Sequence, residues 1–140
     1  MKKSLLFILL FFLLQISTSA STIPINVIKV YDGDTVRVKM SNGNKFSIRL
    51  YGVDCYETSR IHRAYTQAYQ NNVDVEEIIS KGKIAKNYLE NISSKSKSAK
   101  FEFCGVDKYS RVLGILYLDN INVNEELLKK KLCFKYEYKE

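Results

Sequence analysis

A mainly β domain carrying helices, α+β in class, is what the sequence predicts. Three observations predict it: runs rich in Val, Ile and Thr with alternating apolar and polar residues, one long stretch with apolar residues every three or four positions, and a shorter capped helical stretch near the C-terminus. The 140 residues are 46% hydrophobic and 26% charged, which fits one globular domain and excludes a disordered or collagen-like polymer.

Ile23 to Val30 and Thr35 to Met40 read as the first two strands; in the second, Val36, Val38 and Met40 alternate with Arg37 and Lys39. Ser41-Asn42-Gly43-Asn44 supplies a hairpin turn, after which Lys45 to Tyr51 alternates through Phe46, Ile48 and Leu50. From Gly52 to Asp74 the period fades, and the polar stretch RIHRAYTQAYQNN reads as a long loop or a short irregular helix. Val75, Ile78, Ile79, Gly82, Ala85, Leu89 and Ile92 then share one face of an amphipathic helix. Ser93 to Lys100 is a solvated turn before two further strands, Ala99 to Cys104 and Arg111 to Leu118. Asn122, with Glu125 three residues on, caps a last helix that buries Leu127, Leu128 and Leu132. Five strands, a helix between the third and fourth and a further C-terminal helix suit a Greek-key barrel of the OB type, and they suit a generic α+β sandwich about as well.

Residues 1–20 form a separate unit. Lys2 and Lys3 precede an apolar run from Leu5 to Leu14, and Ser17 to Ala20 offers small residues for cleavage, the pattern of a secretory signal peptide. The run is shorter than the ~20 apolar residues that span a bilayer. Cleavage leaves a domain over residues 21–140, and losing Lys2 and Lys3 takes the formal charge from +7 to +5. That balance favours anionic partners, although solubility alone also accounts for it. In an oxidising compartment Cys55, Cys104 and Cys133 allow one disulfide and leave one thiol, with all three pairings open. His62 is the single histidine and no CxxC spacing occurs, so any bound metal should be held by oxygen.

The oxygen donors lie at strand ends. In YDGDTV, Asp32 before Gly33 reads as the turn residue, leaving Asp34 free; Asp54 follows the third strand, and Glu57 comes three residues later. Two aspartates, a main-chain carbonyl and waters suit a hard cation such as Ca²⁺. Each acid taken singly is also ordinary turn or surface chemistry. Arg49 lies inside the third strand and Arg111 opens the fifth, so both guanidiniums can approach one phosphate from rigid elements.

The motifs YDGDTV (31–36), IRLYGVDCYET (48–58), DKYSR (107–111), VNEELL (123–128) and YEY (136–138) occur in an order that resembles the staphylococcal, or thermonuclease-like, nucleases. The resemblance implies the OB-fold barrel and Ca²⁺-dependent hydrolysis of DNA and RNA. Carried over position by position, it makes Asp34 and Asp54 carboxylate ligands of Ca²⁺, with the carbonyl of Cys55 as a further ligand. It makes Glu57 the general base or the residue that orients water, and sets Arg49 and Arg111 on the scissile phosphate. Lys108 and Tyr109 would hold a neighbouring phosphate, and Tyr136 would pack near the base. The sequence departs from the family where Cys55-Tyr56 replaces a small residue and proline, so the bend before Glu57 loses a fixed φ. It departs again in a longer segment after Glu57, whose Arg60, His62 and Arg63 read as solvated loop charges. Most other tyrosines, Tyr51, Tyr56 and Tyr138 among them, read as core or rim residues. The expectation is a secreted or periplasmic, monomeric nuclease with no stable membrane association after cleavage. The alternatives are a non-catalytic OB module that binds nucleic acid, and a secreted interaction domain with structural Ca²⁺.

Overall fold

The structure, a computed structural model, describes residues 20–138. Residues 1–19, most of the expected leader, lie outside the described residues. Among the described residues no helix is long and apolar enough to cross a membrane.

The chain forms β1 (Thr22–Asp32), β2 (Thr35–Lys39), β3 (Lys45–Leu50), β4 (Val53–Cys55), α1 (His62–Asn71), α2 (Val75–Lys95), β5 (Ala99–Val106), β6 (Val112–Leu118), β7 (Ile121–Asn122), α3 (Val123–Lys129) and β8 (Cys133–Lys135). The large sheet runs β3-β2-β1-β5-β6-β7 and closes on itself through a parallel pairing of β3 with β6. The result is a closed five-stranded barrel of mixed strand direction, the OB fold.

Alternation decides which side chains fill it. Val36 and Val38 of β2, Ile48 and Leu50 of β3 and Leu116 of β6 are wholly inaccessible, and each contributes about 1.5–3 kcal/mol by leaving water. The face of α2 expected from its period is the one buried: Ile78, Ile79, Gly82, Ala85 and Leu89. Asp74 starts that helix and Glu76 and Glu77 occupy its first turn, where carboxylates complement the helix dipole. The Asn122 side chain accepts from the Glu125 N–H and caps α3, as its spacing implies. Next to it, buried Asn124 donates to the carbonyls of Tyr51 and Gly114 and accepts from the Leu116 N–H, so α3 ties the turn after β3 to β6.

The segment expected as a loop or irregular helix contains a strand and a regular helix. β4 pairs antiparallel with β8, with Cys55 opposite Cys133, and these two form the disulfide; Cys104 is the remaining thiol. α1 buries only Ala64, Gln67 and Ala68, against Tyr56 and Ile78, and leaves Tyr65 and Tyr69 in solvent.

Candidate functional site

The expected site residues gather at one end of the barrel. Asp32 makes the anticipated turn, its carboxylate accepting the Asp34 N–H at 3.0 Å. Asp34 is thereby turned inward and is 5% exposed; its main-chain carbonyl accepts from Leu50 and its carboxylate accepts the Cys55 N–H at 2.7 Å. Arg49, also buried, joins the two aspartates. Its Nη1 lies 2.8 Å from Asp34 Oδ2 and its Nη2 3.0 Å from Asp54 Oδ1.

Glu57 is half-buried beside them, and its position is fixed from two sides. Its N–H donates to Gln67 Oε1 at 3.0 Å, and its carbonyl abuts Gly82 so closely that a Cβ there would come within 2.2 Å. Gly33 makes a similar approach, because a Cβ would meet the Cys55 Sγ and the Ala85 Cβ at 2.9 Å. The bend that the family holds with proline is held here by other means: the Cys55 disulfide, an edge-on contact of Tyr56 with Phe134, and a hydrogen bond from the Tyr56 hydroxyl to Asn71.

Arg111 immediately precedes the neighbouring strand β6. Since Ile48 pairs with Val112 and Arg49 with Leu113, the residue before Val112 falls on the sheet face of Arg49. Asp107 holds the Arg111 guanidinium at 2.7 Å. Burial disfavours the Asp107 charge, but the N–H and guanidinium of Arg111 and the N–H of Tyr109 outweigh it and hold this carboxyl below its usual range. The Tyr109 ring lies under both Lys108 Nζ (5.1 Å) and the Arg111 guanidinium (5.6 Å). Tyr136 stands edge-on to Tyr138, which stacks on Tyr51 at 5.1 Å. Burial raises the Tyr138 phenol, while Arg49 and Arg111, both within electrostatic reach, lower it. Tyr138 is thus a half-buried rim residue, as expected, within electrostatic reach of both arginines.

Arg63 departs from its expected place in solvent. Read as a solvated loop charge, it projects from α1 into the acidic cluster, 2.5 Å from both Asp54 oxygens and 3.2 Å from Glu57 Oε1. Gln67, one turn on, completes the support; its amide donates to the Cys55 carbonyl at 3.4 Å. Arg60 pairs instead with Glu76, away from the cluster.

Electrostatics define what this end of the barrel can accept. Burial pushes the Asp34 carboxyl up to about 7; Arg49 and the Cys55 N–H lower it, and Asp32 raises it. Burial likewise raises Glu57, Arg63 opposes the rise, and Asp32 and Asp54 add to it. Four carboxyl groups thus surround two guanidiniums, Arg49 and Arg63, and full ionisation of the acids would leave net negative charge there. Among the described residues no three His, Cys, Asp or Glu side chains converge as a complete metal site. The available donors, two carboxylates and the Cys55 carbonyl, are hard oxygens that fit a cation completing its shell with water.

Acids and guanidiniums are thus massed at one end of a closed OB barrel. Residues 47–140 match the family described as staphylococcal nuclease homologue, and the chain belongs to that family. Its members are in general nuclease hydrolases, so the chain falls among proteins that cut or bind nucleic acid. No curated protein matches the chain.

Proposed function

We propose that the protein is an exported, monomeric, calcium-dependent nuclease that hydrolyses DNA and RNA with little base preference. The observation that carries this reading is the clasp of Asp34 and Asp54 by the one guanidinium of Arg49, beside Tyr138 and Arg111. Asp34 and Asp54 would hold the ion by their carboxylates and Cys55 by its carbonyl, and calcium so bound supplies Lewis-acid polarisation of the phosphate. Arg49 and Arg111 bind the non-bridging oxygens and keep fixed positive charge where negative charge grows. Glu57, whose raised carboxyl favours proton uptake, takes the proton of the attacking water or orients that water. Lys108 and Tyr109 hold a neighbouring phosphate and Tyr136 packs near its base. Phosphate contacts position a strand without reading it, hence the low specificity. The leader pattern and the Cys55–Cys133 disulfide support export to an oxidising compartment.

Purified protein is expected to degrade plasmid DNA and RNA with Ca²⁺ and to stop in excess chelator; cleavage that persists in chelator removes the metal mechanism. A binding-only OB module is favoured by one observation, the engagement of both Asp54 and Glu57 by Arg63. Glu57→Ser separates the readings. The nuclease loses turnover by about 10²–10⁴-fold at unchanged affinity, whereas a binding module shows no turnover to lose.

A further inference from the structure

Beside the acidic cluster, on the side of α1, lies a cavity of about 460 Å³, within the range of small-ligand sites. Asp54 borders it, so it is continuous with the proposed catalytic site. Its floor is aromatic: Phe134, 41% exposed, meets Tyr56 edge-on and leaves ring surface facing outward. Its wall is the polar side of α1, where Thr66 and Gln70 line the space one turn apart. Gln67 and Asn71 are occupied by Glu57, Cys55 and Tyr56, but the exposed Gln70 amide has no hydrogen-bond partner among the described residues. The position relative to the chain is informative too. Phe134 pairs opposite Asp54, while Tyr136 bonds back to Gly52, so the last strand leads from the cavity past Asp54 to the tyrosine cluster.

A flat ring surface beside a free amide, which donates and accepts in one plane, matches a nucleobase: stacking on one face, paired hydrogen bonds at the edge. We propose that this cavity is a base subsite, which takes the nucleobase on the side of the scissile phosphate opposite Lys108 and Tyr109, stacked on Phe134 and contacted at its edge by Gln70. The assignment of the neighbouring phosphate rests on the nuclease reading above; the cavity and its lining do not.

Gln70→Ala tests it against a thymidine dinucleotide and two nitrophenyl esters, thymidine 3′- and 5′-phosphate, each lacking one of the two nucleosides. The expected result is a KM raised about tenfold on the dinucleotide, at unchanged kcat, with no change on the one ester that lacks the base held here. Unchanged KM on all three substrates, or an equal loss on all three, overturns the subsite. If the wild-type protein cuts none of them, plasmid digestion still decides the nuclease reading, and direct binding decides the subsite separately. Thymidine or adenosine should then shift the Gln70 side-chain amide signals in the nuclear magnetic resonance spectrum of the full domain, and absence of that shift overturns the proposal.

Discussion

Asp34 is placed where water cannot solvate its charge. Its carboxyl, at about 7 in the folded chain against an ordinary 3.8, binds a proton between those values that the unfolded chain has already released. Stability from this group is therefore fully present below about pH 4 and declines as pH rises through 7, where the folded state must ionise it against burial. A divalent cation that binds the ionised form has the opposite dependence. Calorimetric titration should show Ca²⁺ affinity increasing between pH 6 and 8, and Asp34→Asn should weaken binding and flatten the slope; an affinity independent of pH in the wild type removes Asp34 from the ligand set. Arg63 competes for the same charges through Asp54 and Glu57. Because it is half-exposed, its pairing is screened and worth no more than about 1 kcal/mol, so Arg63→Ala should tighten Ca²⁺ by up to about fivefold in the same titration. An unchanged or weaker affinity would assign Arg63 to substrate or to folding instead. Part of the cluster was legible in the sequence, since Asp34 immediately precedes β2 and Arg49 lies inside β3, whereas Asp54 was reached through the order of the motifs and not through any period. Arg63 was not legible: with Arg60 and His62 it shows no spacing, and it meets Asp54 only because the segment from His62 winds into α1.

Periodicity explains which elements could be read and which could not. β2, β6 and α2 carry side chains whose burial largely repeats every two or every three to four residues, and the limits of these elements and of β3, whose last three residues are all buried, match expectation within a few residues. α1 lacks that signal because its buried stripe is Ala64, Gln67 and Ala68, small or polar, while its two tyrosines face water. β4 and β8 have three residues each, too few for any period, and exist because distant segments pair. The disulfide is what holds that pairing. Cys55 and Cys133 are 78 residues apart, so cross-linking them removes about 4 kcal/mol of unfolded-chain entropy on the loop-closure account. Reduction should lower the Tm by about 15–25 °C and should impair cleavage, since Asp54 and the Cys55 carbonyl ride on β4. Cys104→Ser serves as the control, because Cys104 is outside the bridge and its loss should leave both readings unmoved. A reduced protein with an unchanged Tm would mean that β4 and β8 stay paired without the covalent link.

At the scale of the molecule, charge sets how a nucleic acid arrives and how firmly it stays. Residues 21–140 carry a formal +5, against the same polymer whose phosphates Arg49, Arg111 and Lys108 are proposed to contact. Each phosphate neutralised on a single strand releases condensed counterions, with a slope near −0.7 in log affinity against log salt, so three contacts predict a slope of about −2. Fluorescence anisotropy with a labelled oligonucleotide and Glu57→Ser, between 50 and 300 mM salt, measures it without cleavage. Lys108→Ala should shorten the slope by roughly one contact and weaken all sequences alike, because a phosphate contact carries no base information. Changes in the base subsite should leave the slope untouched, since stacking and amide hydrogen bonds release no counterions. A slope near zero for Glu57→Ser would mean that the basic surface and the site do not act on one strand, and that the net charge serves solubility alone.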